Sequence, residues 1–191
     1  MIQPEDTVLI LLAAGKSARF GDKDKLEQDY LGEPLAFHVV TALEAVRFRS
    51  RVAVVWDTNL DFAARGYEVI RNEAPDRGLS SSIRLGVAVA REKNPQAVLI
   101  ALADMPRVTS SHVHRLLDYA DGDDTILASS DGRQPRPPAL FGRNHFDWLM
   151  QLSGDSGARE MIARAHHVIA VSNELIDVDT PEDLERLRAL V

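Results

Sequence analysis

Short apolar runs alternate with helix-period segments along almost the whole chain, and that alternation restricts the possible folds more than any other feature. Val8–Leu12 is an unbroken apolar run of strand length. Arg51–Trp56, the shorter Tyr67–Ile70, Ala97–Ala103 and Thr125–Ala128 read as further strands. Between them a helical period runs from Pro34 through Val46, over Ser81–Arg91, and over Ser110–Ala120, where Val113, Leu116, Leu117 and Ala120 share a side. Helical patterns recur at His145–Leu152 and Ser156–Ala165, ahead of a last strand at Val168–Val171. Strands alternating with helices build βαβ units, hence a parallel sheet in an α/β sandwich. One stretch breaks the pattern. Ser129–Pro138, dense in Gly, Pro and polar residues, is expected to form a long loop or lid, with a short strand at Ala139–Phe141 leading out of it.

The first strand empties into Ala13-Ala14-Gly15, residues small enough to let a ligand approach the backbone. Three spaced cations follow, Lys16, Arg19 and Lys25. A buried strand feeding a cation-rich, Gly-containing loop suggests an anionic ligand, most simply the phosphates of a nucleotide. An ordinary βα turn would also accommodate the first of these residues. Two familiar phosphate loops are excluded: a P-loop ending at Gly15-Lys16-Ser17 needs glycine where Ile10 stands, and no G-x-G-x-x-G is present.

At 191 residues the chain is expected to be one domain, 1–191, burying roughly 70% of its unfolded surface. A net charge of −7 argues against nucleic-acid or anionic-membrane partners, so an anion site has to be a local basic patch. The chain has no cysteine, hence no disulfide framework and no thiolate metal site. With no run of membrane-spanning length and no signal-peptide pattern in M-I-Q-P-E-D, a soluble, cytoplasmic protein is expected.

Asp104, in L-A-D-M-P, directly follows the most apolar strand, at the sheet edge where open α/β proteins bind ligands. It reads as a magnesium ligand, because Mg²⁺ takes one or two carboxylates plus substrate phosphates, or as a turn aspartate. Asp177 and Asp179 lie in I-D-V-D-T-P-E-D-L. Thr180, Pro181 and Asp183 are explained as a helix start. The two preceding aspartates, placed on a strand of period two, share a face opposite Ile176 and Val178. Arg77–Gly86 carries three consecutive serines after Gly78, more than one helix cap requires. In Leu152–Arg159, Gly154 and Gly157 flank a polar turn, and Ser156 can cap a helix carrying Arg159. His112 and His114 diverge by about 200° on a helix, and the histidines are assigned surface or cap roles. No Cys–His pair or G-x-S-x-G elbow offers a covalent nucleophile.

The loop A-A-G-x-S-x-R-F-G followed by a lysine resembles that of the MobA-like nucleotidyltransferases, which transfer an NMP group from an NTP. The resemblance runs from Leu9 to Leu187 and includes L-A-D-M-P, with Ala103 for the family's usual glycine, G-L-S-S-S-I, L-S-G-D-S-G-A-R and the D-x-D-T-P-E-D-L segment. It implies a three-layer α/β/α sandwich with a mostly parallel, Rossmann-like sheet of the nucleotide-diphospho-sugar transferase type. It also implies a nucleotide pocket of Leu12, Ala13, Ala14, Gly15, Ser17, Arg19, Lys25, Gly78, Leu79, Ser80, Ser81, Ser82 and Asp104, with Asn72 a weaker member. Arg19, Lys25 and Asp104 take catalytic roles, Asp104 and Asp179 hold Mg²⁺ with Asp177 a weaker ligand, and Asp155 and Arg159 face the acceptor.

The serine-rich 78–82 segment and Ala13-Ala14-Gly15 look closer to the MocA-like cytidylyltransferase branch. That branch implies CTP as donor, molybdopterin as acceptor, and a molybdenum hydroxylase as possible partner. A guanylyltransferase, a sugar- or alcohol-phosphate nucleotidyltransferase, and a non-catalytic cofactor carrier are the alternatives. Where the family shows G-H-P, this chain has Arg136-Pro137-Pro138, a departure on the acceptor side.

Overall fold

A computed structural model describes residues 1–21, 24–154, 157–171 and 173–190, with the side chains of 157, 158 and 161 outside the description. The elements run β1 (Thr7–Ala13), a small hairpin of β2 (Asp29–Tyr30) and β3 (Glu33–Pro34), α1 (Leu35–Leu43), β4 (Ser50–Val55) and β5 (Glu68–Arg71). Then follow α2 (Leu79–Glu92), β6 (Ala97–Leu102), α3 (Ser110–Tyr119), β7 (Ile126–Ser130) and β8 (Pro135–Gly142). The last are α4 (Phe146–Met150), α5 (Gly157–Arg164), β9 (His166–Ile169) and α6 (Pro181–Arg188). Seven strands form one sheet in the order β5-β4-β1-β6-β8-β7-β9. All neighbours are parallel except β8, which runs antiparallel to both β6 and β7. The chain is an α/β sandwich of Rossmann-like type.

β1 sets the three layers. All of its residues are buried, as the unbroken apolar run requires of a strand covered on both faces. Alternate side chains point to opposite cores. Leu9, Leu11 and Ala13 pack with Val39, Val40 and Leu43 of α1 and Val113, Leu116 and Leu117 of α3. Val8, Ile10 and Leu12 pack with Ile83, Val87 and Ala90 of α2 and Leu149 of α4. On that second face α2 lies very close to the sheet. A β-carbon at Gly86 would run into Ile10 Cγ2 and come within 3.3 Å of Val54 Cγ2. No helix among the described residues is long and apolar enough to cross a membrane.

Three expectations need correction. The segment 129–138 is a β-hairpin rather than a long loop or lid: Ser129 and Ser130 end β7, Pro135 opens β8, and only 131–134 turn. Asp131 builds that turn by accepting from Arg133 N at 2.9 Å and Gln134 N at 3.0 Å. Prolines are tolerated in β8 because β6 pairs only with Ala139–Gly142, so the proline-bearing part overhangs with a neighbour on one side. Residues 176–179 form no strand; a single backbone bond, Val178 N to the Asp104 carbonyl at 3.0 Å, anchors them. His112 is buried, not a surface or cap residue. Arg115 donates to its Nδ1 at 2.9 Å, which leaves Nε2–H to donate to Ser129 Oγ at 2.7 Å. Ser129 Oγ in turn donates to Pro138 O, also at 2.7 Å.

Candidate active site

A cleft of about 510 Å³ opens at the C-terminal ends of β1 and β6, between the loop after β1 and the start of α2. Leu12, Ala13, Ala14, Gly15, Ser17, Arg19 and Lys25 line it from the loop side. A β-carbon on Gly15 would meet no atom of the described residues within 4 Å apart from its chain neighbours, so crowding among them does not require glycine there. Ser17 serves the loop rather than the open space: its Oγ donates to Asp24 Oδ1 at 3.1 Å and accepts from Lys25 N at 2.9 Å. Asp24 Oδ1 in turn accepts from Leu26 N at 3.0 Å. These bonds fold the loop back on itself and fix the backbone from which the Lys25 side chain starts.

Lys25, Asp104 and Asp179 meet on the cleft floor, although they come from three separate stretches. Lys25 Nζ lies 2.6 Å from Asp104 Oδ2, 2.9 Å from the Val178 carbonyl and 3.1 Å from Asp179 Oδ1. Its side chain is 10% exposed. Burial by itself would lower the Lys25 pKa, but the two carboxylates outweigh it and hold the ammonium above its ordinary 10.5. Burial pushes Asp104 above the usual carboxylate range; Lys25 opposes that shift, and Asp179 and Asp177 add to it. The second oxygen of Asp104, Oδ1, is buried with no hydrogen-bond partner among the described residues. Arg19 is exposed and stands 3.6 Å from Asp179 Oδ2. Lys16, also at the cleft, pairs with Asp76 and lies 5.3 Å from the centroid of the Trp56 ring.

On the opposite wall, Gly78, Leu79 and Ser82 reach the cleft. Ser80 and Ser81 are buried and do not line it; Ser81 Oγ donates to Gly78 O at 2.8 Å. Asn72 lies behind them, 2% exposed. Ala74 N–H donates to its Oδ1 at 3.0 Å, which turns the amide nitrogen toward Ser81 Oγ at 2.8 Å and Ser82 Oγ at 2.9 Å. Asn72 therefore staples the end of β5 to the first turn of α2, the positive end of that helix's dipole.

Arg159 borders the same cleft, while Asp155 lies outside the described residues. Asp177 lines the rim and is paired with Arg136, whose Nη1 lies 3.2 Å from its Oδ1 and 3.0 Å from the Leu175 carbonyl. The residue that departs from the family pattern thus ties the β7–β8 hairpin to the segment leading to Asp179. Sequence reasoning missed this tie and the Val178 carbonyl. A backbone acceptor leaves no mark in residue type, although Val178 does stand between two aspartates.

The floor suits a hard divalent cation. Asp104 and Asp179 offer carboxylate oxygens, and the unpartnered Oδ1 of Asp104 is a buried acceptor awaiting a positive partner. No group of three or more His, Cys, Asp or Glu side chains able to hold a metal occurs among the described residues. Two carboxylates fit an ion that completes its shell with substrate phosphates better than one held by protein alone.

Comparisons with known proteins identify the family and the fold. The chain is 29% identical to "Purine catabolism protein PucB" of Bacillus subtilis, covering 94% of each chain. It is 28% identical to a "Probable molybdenum cofactor guanylyltransferase" of Natronomonas pharaonis, covering 94% of this chain and 95% of the relative. Among solved structures, Rv0371c of Mycobacterium tuberculosis superposes with a TM-score of 0.81 at 24% identity, over 97% of this chain and 99% of the other. A nucleotidyl transferase of Methanothermobacter thermautotroptrophicus gives 0.82 at 21% identity, over 96% of each chain, so the fold is shared. Residues 9–168 match the MobA-like NTP transferase domain, and the chain belongs to that family of nucleotidyltransferases.

Proposed function

We propose that residues 1–191 act as one nucleotidyltransferase domain that transfers CMP from CTP to the phosphate of molybdopterin and releases pyrophosphate. The observation that carries this reading is the meeting of Lys25, Asp104 and Asp179 on a cleft floor bounded by the 13–17 loop and the start of α2. An acceptor phosphate oxygen would attack the α-phosphorus in line. A phosphoanhydride bond forms to the acceptor, the α–β bond breaks, and the electron pair leaves with pyrophosphate.

The acceptor phosphate is already a nucleophile, so the protein's task is placement and neutralisation of charge. The loop backbone at Ala14–Ser17 and the first turn of α2 would hold the phosphates. Arg19 and Lys25 would neutralise charge growing on the leaving pyrophosphate. Mg²⁺ held by Asp104 and Asp179 would add further neutralisation across the triphosphate. Arg159 would hold the acceptor phosphate.

CTP is supported by the serine-rich start of α2, where Asn72 fixes the Ser82 hydroxyl at the cleft wall. A second reading, GTP as donor, is favoured by the relatives named molybdenum cofactor guanylyltransferase. Pyrophosphate release with each of the four NTPs and Mg²⁺, with and without molybdenum-loaded molybdopterin, tests both. Release with CTP only when that acceptor is present is the expected result. Release with GTP instead would establish the second reading, and no release with any NTP would overturn the donor–acceptor pair.

A further inference from the structure

Lys25 occupies the position toward which the cleft's oxygen donors converge. An ammonium carries three donor hydrogens, and Nζ has three acceptors: Asp104 Oδ2, the Val178 carbonyl and Asp179 Oδ1. Its side chain is 10% exposed, more enclosed than Asp104 at 17% and far more than Asp179 at 47%. The backbone of Lys25 is fixed by Ser17 Oγ, so the side chain enters from a set origin. Lys25 holds Oδ2 of Asp104 and Oδ1 of Asp179, so a divalent cation on the same two carboxylates, even one using Asp104 Oδ1, would stand directly beside the ammonium and be repelled by it. The ion and the ammonium therefore compete for one pair of carboxylates, and two like-charged carboxylates on a shared floor need one of them. A triphosphate entering beside the 13–17 loop offers Lys25 a different anionic partner.

We infer that Lys25 is a built-in counter-cation that closes the divalent-metal position of the nucleotide-free protein, and that the triphosphate opens it by drawing the ammonium away. Metal and nucleotide would then be taken up together, each favouring the other by the same factor. This inference rests on the nucleotidyltransferase reading of the cleft.

The test is a Mn²⁺ titration of the full chain without nucleotide, followed by the loss of the free-ion EPR signal, in the wild type and in Lys25→Met and Lys25→Arg variants. Lys25→Met should bind Mn²⁺ about tenfold or more tightly than the wild type, because the competing charge is gone. Lys25→Arg, which keeps a cation, should stay weak. Lys25→Gln replaces the Met variant should that protein fail to fold. Equal or weaker Mn²⁺ binding in the uncharged variant overturns the inference, as does an Arg variant that binds as tightly as the Met variant. Equilibrium dialysis of CTP and GTP with and without Mn²⁺ separates the two levels of failure. If Mn²⁺ raises nucleotide retention by the wild type while the uncharged variant binds no tighter, only the counter-cation role falls. If Mn²⁺ neither binds any of these proteins nor raises nucleotide retention, the metal-assisted transferase reading falls as well.

Discussion

The Lys25 ammonium lies 2.6 Å from the Asp104 carboxylate across 79 positions of sequence. This contact joins the loop after β1 to the end of β6, two central and adjacent strands of the sheet. The Asp104→Asn variant keeps the side-chain volume and an oxygen that can accept from Lys25, but removes the charge. Pyrophosphate release should fall by about 10²–10³-fold while the thermal midpoint stays near that of the wild type. Near-normal turnover in this variant would remove Asp104 from the chemistry.

Gly86 marks the closest approach of α2 to the sheet. A Gly86→Ala substitution puts a methyl against Ile10 Cγ2 and near Val54 Cγ2, in the middle of a packed layer. The variant should lose about 1–3 kcal/mol of stability in a urea titration, despite the higher helix propensity of alanine. A neutral or stabilised variant would show that α2 can lift off β1 without cost.

Asn72→Ala removes the amide that binds Ser81, Ser82 and Ala74 N–H together. It should destabilise by about 1–3 kcal/mol, the cost of leaving buried polar groups unpaired. Because the cleft wall carrying Ser82 loosens, the proposed nucleotide role of that wall predicts that KM for the NTP rises more than KM for the acceptor. Equal changes in the two constants would assign Asn72 a purely structural role.

Burial is the main cause that holds His112 below its ordinary 6.5; Arg115 adds to the depression and Glu174 opposes it. The folded ring stays neutral where the unfolded chain takes up a proton, so stability rises with pH across that interval. The contribution is complete above 6.5 and is lost as pH falls below 6.5 toward the folded value. His112→Asn should therefore lower stability near neutrality and flatten its decline as the pH falls below 6.5. An unchanged slope in that variant would assign the acid sensitivity to other groups.

The parts legible in the sequence are those set by neighbouring residues. Val8–Leu12 reads as a doubly buried strand because its apolar run is continuous, and Asp104 stands out because it ends the next such run. The serines after Gly78 announce a helix start, but not that Asn72, on another element, decides which of them face inward. His112 had a readable signal, since it sits one helical turn before Leu116 on the side that α3 buries. Its polar character obscured that position. β8 was harder to place, because strand pairing is decided by distant partners and the prolines of 135–138 disguise a strand that overhangs its neighbour. Asp177 and Asp179 reach the cleft without a strand, held by the backbone bond from Val178 to Asp104 and by side chains from distant stretches, Lys25 and Arg136.

The overhang of β8 has a consequence for how this protein can change. Its proline-bearing part pairs with β7 alone, and Arg136 reaches from it to the Leu175 carbonyl and Asp177 rather than into either core. Substitutions there alter the far rim of the cleft without disturbing the β1–α2 packing that shapes the opposite wall. The two halves can therefore diverge at different rates. Residues near 131–136 can be rewritten, and the setting of Asp177 with them, while the packing beneath the 13–17 loop is inherited intact.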